Sequence, residues 1–189
     1  MKQFIHAAIR SACGGIAALS LLVLAGSTGC DSRPPANALA FWKPFSPPGG
    51  NFSVTMPPNP IVETPKTSTG FEAKTYRIVS AMSNLAGLAV SYSDQPPTAS
   101  FQKDAKKVLD SVKKQAVSDL RGELISEKAI SHKGYPGIEF QASVKGGFTV
   151  RQRIFLANRR LYSLMVIAGS RGLESPEAKT FFDSFQILK

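Results

Sequence analysis

A chain of 189 residues with 43% hydrophobic residues has the size of one ordinary domain plus an appendage, and an apolar content that excludes a disordered or low-complexity protein. Its formal charge of +10 favours anionic surfaces such as nucleic acid, lipid headgroups, cell-wall polymers or an acidic protein, against the plainer reading of a solvated basic surface kept soluble by self-repulsion. Two cysteines and two histidines in the whole chain leave no clustered ligand set for zinc.

Met1 to Arg10 is short and basic, Ile16 to Leu24 is apolar, and small residues Ala25 to Gly29 lead to Cys30. That is the three-part layout of a secretory signal peptide over residues 1–29, and the apolar stretch is too short for a membrane span. Removing Lys2 and Arg10 from the formal charge of +10 leaves +8 for a chain starting at Cys30. Export argues against nucleic acid as the partner. Residues 30–50 hold five prolines and two glycines, the composition of an extended tether. Phe41, Trp42 and Phe45 interrupt it. These aromatics pack on the domain, sit in a lipid interface, or bind a partner.

From Phe52 the pattern is regular. Phe52, Val54 and Met56 alternate with Ser53 and Thr55, a first strand stopped by Pro57-Pro58, which cannot donate to a ladder. Thr67 to Gly70 reads as a turn, Phe71 to Ser80 and Leu85 to Ser93 as a hairpin through Met82-Ser83-Asn84, and Asp94 to Pro97 as its close. Ala99 to Arg121 then changes period: Phe101, Ala105, Val108, Leu109, Val112, Ala116 and Leu120 line one side of an amphipathic helix. Thr98 or Ser100 caps its start and Gly122 its end. Glu123 to Ser131 is an irregular strand entering a turn over 132–137.

The organising stretch is Lys133 to Gly169. Ile138, Phe140, Ala142 and Val144 alternate with polar residues, Lys145-Gly146-Gly147 turns, Phe148 to Leu156 alternates again, Asn158-Arg159-Arg160 turns, and Leu161 to Ala168 is apolar almost throughout. This is the centre of an antiparallel sheet whose last strand is buried on both sides. Ser175-Pro176-Glu177 then opens a final helix carrying Phe181, Phe182 and Phe185, each worth roughly 1.5–3 kcal/mol when buried. The expected fold is α+β: an α/β/α sandwich with a central antiparallel sheet flanked by the long middle helix and the C-terminal helix.

The inventory for chemistry is thin. Past the apolar leader the one histidine is His132, in a polar loop beside Lys133; a Ser-His-carboxylate site through it competes poorly with an ordinary exposed histidine. Asp94 has no second acid placed to pair with it, no acidic loop offers calcium its oxygens, and nucleotide fingerprints are absent. No cofactor and no catalytic residue are expected. Arg151 and Arg153 share a strand face and Arg159-Arg160 occupy a hairpin tip. Four guanidinium groups near one end of the sheet would grip carboxylates or phosphates of an acidic partner. The alternative is that their stems cover apolar surface while their heads reach water.

Two resemblances add to this. Leu24-Ala25-Gly26-Ser27-Thr28-Gly29-Cys30 resembles the lipobox of bacterial lipoproteins, matching at the glycine before the cysteine and departing at Ser27, where leucine is usual. It implies a diacylated, palmitate-type membrane anchor at Cys30, against ordinary cleavage that leaves a free thiol or none. Asp31 resembles an inner-membrane retention signal of some enterobacteria. Phe52-Ser53-Val54-Thr55-Met56-Pro57, Gly134-Tyr135-Pro136-Gly137-Ile138-Glu139, Arg153-Ile154-Phe155-Leu156 with Arg160-Leu161-Tyr162-Ser163-Leu164, and Phe182-Asp183-Ser184-Phe185 together resemble the PsbP-like domain over residues 51–189. That superfamily includes photosystem II PsbP, the Ran-binding factor Mog and exported actinobacterial lipoproteins. The resemblance implies a non-catalytic binding or assembly module, here in the cell envelope and facing the periplasm or exterior. A carrier of a small amphiphile or lipid is the alternative, and a hydrolase using His132 ranks third.

Overall fold

The computed structural model describes residues 38–64, 73–82, 85–95, 104–169 and 171–188, and between 73 and 82 the side chains of Thr75 and Tyr76. Ten strands and two α-helices are present among them: β1 Lys43–Phe45, β2 Phe52–Met56, β3 Ile61–Glu63, β4 Ala73–Met82, β5 Leu85–Asp94, α1 Ala105–Leu120, β6 Glu123–His132, β7 Tyr135–Val144, β8 Phe148–Ala157, β9 Arg160–Ala168, α2 Pro176–Asp183 and β10 Gln186–Ile187. Seven strands form the main antiparallel sheet in the order β3-β4-β5-β9-β8-β7-β6, and β1-β2-β10 form a second, small one. No helix among the described residues is long and apolar enough to cross a membrane.

Strand alternation divides the interior into two cores. Ile138, Phe140 and Ala142 of β7 and Ile154 and Leu156 of β8 pack with Leu109 and Ala116 of α1. The intervening positions face the other way. There Phe155, Tyr162, Leu164 and Val166 join Leu88, Val90 and Tyr92 beneath Phe181 and Phe182 of α2, together with Phe185 and the small sheet. The α+β sandwich is thus present, with one difference: its second outer layer is a helix plus three short strands. Phe52, fully buried, is the hub of that layer, its ring 6.0 Å from Tyr162 and 5.9 Å from Phe185. β9 is central as anticipated, yet Ser163, Met165 and Ile167 on its α1 side are only half-buried, because α1 packs chiefly over β7 and β8.

The expected tether over residues 30–50 is folded in its second half. Ala38–Phe41 forms a 3-10 turn, β1 pairs with β2 through Phe45 opposite Val54, and Trp42 belongs to the core at 8% exposure. Of the three aromatics only Phe41 stays out, 62% exposed, while Phe45 meets the Tyr76 ring edge-on at 5.0 Å. The domain therefore begins at or before Ala38, not at Asn51. A proline-rich composition concealed this because Pro44 lies in an edge strand, where a missing N–H is tolerated.

Helix ends follow from local chemistry. Asp104 caps α1 by accepting from the Lys107 N–H at 3.1 Å, displacing the expected Thr98 or Ser100, which lie outside the described residues. At the other end Arg121, not Gly122, takes the left-handed conformation, with φ 48°. Gly122 is required for a different reason: a Cβ there would sit 2.4 Å from the Ser143 carbonyl oxygen. α2 starts as anticipated, with the Ser175 hydroxyl accepting from the Ala178 N–H at 3.2 Å and Pro176 in the first turn.

Candidate functional site

The arginines are the first residues to place. Because Val150, Gln152 and Ile154 of β8 face α1, Arg151 and Arg153 emerge on the α2 side. Arg151 donates from Nη1 to the Leu173 carbonyl at 3.1 Å and pairs through Nη2 with Glu174. It thereby fastens the turn that leads into α2. Arg153 donates from Nε to Glu139 at 2.6 Å and from Nη1 to the Phe182 carbonyl at 3.3 Å, with its guanidinium 4.8 Å from the Phe182 ring centre. Lys128 completes the group, its Nζ 3.0 Å from Glu139. Burial pushes the Glu139 carboxyl up, but the hydrogen bonds from Arg153 and Lys128 outweigh it and hold the group below the usual carboxylate range.

Arg160 sits one strand end away. It forks onto Asp94 with contacts of 2.5 and 2.8 Å, donates to the Gly49 carbonyl at 2.6 Å, and stacks 4.5 Å from the Tyr92 ring centre. The bidentate pair raises the guanidinium's pKa, so its charge is permanent. Asp94 and Arg160 are direct partners in the ladder between β5 and β9. Sequence reading isolated both residues without joining them; the signal was that Asp94 closes one strand while Arg160 opens another, a pairing that only the strand order reveals.

Arg159, at the exposed tip, donates from Nε to the Gln95 carbonyl at 3.3 Å. The four guanidinium groups thus do not assemble into one free cluster. Arg151, Arg153 and Arg160 share the α2 side, half-buried and held by separate internal contacts, and Arg159 is the exposed one of the four. Two of them clamp α2 and its lead-in turn to the sheet, and one ties residues 49–50 to the end of β5.

His132 is not in an open polar loop. It ends β6 with its ring 5.7 Å from Phe155 and 5.8 Å from Phe185, and its buried Nε2 makes no hydrogen bond with any described residue. Burial lowers the imidazole's pKa and the neighbouring charge of Lys133 lowers it further. A base that must relay a proton from a serine needs that nitrogen at a hydroxyl; no hydroxyl of a described residue lies within hydrogen-bond distance of it. A second buried ion group lies across the sheet. Lys113 of α1 contacts Asp110 at 3.3 Å and pairs with Glu127 of β6. Burial disfavours its charge, but the two carboxylates prevail and raise its pKa. Among the described residues no three His, Cys, Asp or Glu side chains gather where they could hold a metal. Cys30 and residues 1–29 lie outside the described residues.

Comparison with solved structures bears on this architecture. The chain superimposes on the solution structure of cyanobacterial PsbP from Synechocystis sp. PCC 6803 with a TM-score of 0.54, at 15% identity, covering 88% of this chain and 98% of that one. The fold is PsbP-like. A Pseudomonas aeruginosa protein of unknown function, described as a putative regulator, matches at 9% identity over 70% of this chain and 85% of its own, with a TM-score of 0.36. A Bacteroides thetaiotaomicron protein matches at 13% identity over 79% of this chain and 49% of its own, with a TM-score of 0.40. Scores that low carry no argument about fold. No protein-family model matches the chain, and no curated protein matches its sequence.

Proposed function

We propose that this is a lipid-anchored protein of a bacterial cell envelope, whose PsbP-like domain is a non-catalytic binding or assembly module for another envelope component. The anchor is Cys30, following the leader of residues 1–29. The observation that carries the reading is the distance between that cysteine and the fold. Described structure begins at Ala38; at no more than about 3.5 Å per residue, the chain from Cys30 can span at most about 28 Å. A domain attached that closely works at the membrane surface, where a partner must itself reside.

Growth with an alkyne-bearing palmitate analogue, followed by fractionation, tests the anchor. The native chain should take up the label and sediment with membranes, and Cys30→Ser should lose both properties. Label retained by Cys30→Ser would overturn the assignment. Crosslinking in intact cells then tests the module: one dominant envelope protein captured by the native chain and lost with Cys30→Ser is the expected result. If neither form captures a reproducible partner, the binding role fails.

A further inference from the structure

An antiparallel sheet that is not closed has edges, and folded proteins ordinarily blunt them with short strands, prolines or covering elements. Three of the four edges here are blunted. β3 is three residues long and preceded by Pro57, Pro58 and Pro60; β1 is three residues long and contains Pro44; β10 has two residues. β6 is the exception. It runs for ten residues, pairs with β7 alone among the described residues, and is exposed at every position except the half-buried Ile130 and His132. Its two charges near the middle are exposed but engaged in ion pairs on their own faces of the sheet, Glu127 with Lys113 and Lys128 with Glu139.

We propose that this edge binds the same edge of a second copy of the chain, joining two sheets into one across a two-fold axis. Such an axis stands perpendicular to the sheet and keeps each side chain on its own face. Directly opposed residues must then share a face, which leaves only a few registers. Pairing of β6 with β7 shifts at Leu124/Ser126 and is regular from Ser126 to His132, and Ala129 is the midpoint of that regular run. Centred there, Ala129 opposes its own copy, Lys128 opposes Ile130, Glu127 opposes Ser131 and Ser126 opposes His132. Each Glu127, besides its pair with Lys113, lies diagonal to the other copy's Lys133, and each Lys128, already paired with Glu139, lies diagonal to its own copy. Centring on Glu127 or Lys128 instead would set like charges face to face. The register centred on Ala129 coincides with the bulge-free segment and places the smallest side chain of the edge on the axis.

The test uses the full chain in mild detergent. Sedimentation should give a dimer, and Ala129→Lys, which opposes two ammonium groups on the axis, should give a folded monomer with an unchanged far-UV spectrum. Opposed antiparallel residues have Cα atoms about 4.5–5.5 Å apart, inside the range a disulfide spans. Ala129→Cys should thus crosslink to a dimer on mild oxidation, while Lys106→Cys and the unsubstituted chain should not. A monomeric native chain, a dimer that survives Ala129→Lys, or Ala129→Cys crosslinking only to a different protein would each overturn the proposal.

Discussion

Buried polar atoms without partners are costly, and His132 carries one. Its Nε2 is enclosed beside Phe155 and Phe185, so folding suits the neutral ring and lowers its pKa from the ordinary 6.5. As pH falls past about 6.5 the unfolded chain takes up this proton first, and stability drops from there until the folded protein is protonated as well. Glu139 behaves in the opposite sense to a buried neutral acid: its pKa lies below 4.5 in the fold, so its contribution is present above that pH and is lost only on deeper acidification. Urea denaturation at pH 5 and pH 8 separates the two. The native chain should lose stability between them, and His132→Phe, which keeps an aromatic ring without a titrating nitrogen, should flatten that loss. An unchanged slope in the variant would assign the effect to another group. The same residue shows the limit of sequence reading at this scale: a histidine next to Lys133 and a glycine turn looks solvent-facing, and its contact with Phe185 arises across more than fifty residues of chain.

Elements held by long-range ion pairs behave differently from those held by apolar area alone. α2 has both, since Phe181 and Phe182 are buried while Arg153 reaches its last turn through the Phe182 carbonyl and Asp183. Removing the guanidinium in Arg153→Met leaves Glu139 in a buried position with Lys128 as its remaining cation. A loss of about 1–3 kcal/mol is expected, less than for a fully buried pair because Arg153 and Asp183 both reach water. Faster amide exchange in α2 should accompany the lower urea midpoint. Arg159→Met, at an exposed tip, should change stability by no more than about 0.5 kcal/mol; equal losses in the two variants would contradict the clamp. Elements of this kind divide by how much of their cause is local. The three-strand meander from Tyr135 to Ala168 and the capped start of α2 are legible because alternation, glycine turns and Ser-Pro-Glu act within a few residues. β1, β3 and β10 are not. With two or three residues each, their pairing comes from a partner strand and from rings such as Tyr76 rather than from any pattern of their own.

At the scale of the whole molecule the question is where the domain starts. A boundary at Asn51 satisfies strand periodicity and leaves a proline-rich leash; the packed structure places Trp42 in the core and Phe45 against Tyr76, and it uses the Gly49 and Gly50 carbonyls to satisfy Arg160. Two chains distinguish the alternatives, one starting at Ala38 and one at Asn51. Loss of a buried tryptophan alone costs about 3–5 kcal/mol, which is a large share of the roughly 5–15 kcal/mol that holds a domain together. The shorter chain should therefore melt well below the longer one and bind a hydrophobic dye through the uncovered Phe52 and Tyr76. Equal melting temperatures would return residues 38–50 to the role of a leash. The outcome bears on the proposed envelope function, because a domain whose fold begins at Ala38 has a short reach from an anchor at Cys30. Such a domain meets its partner by both lying at one membrane face, whereas a long flexible leash would let it search beyond that face.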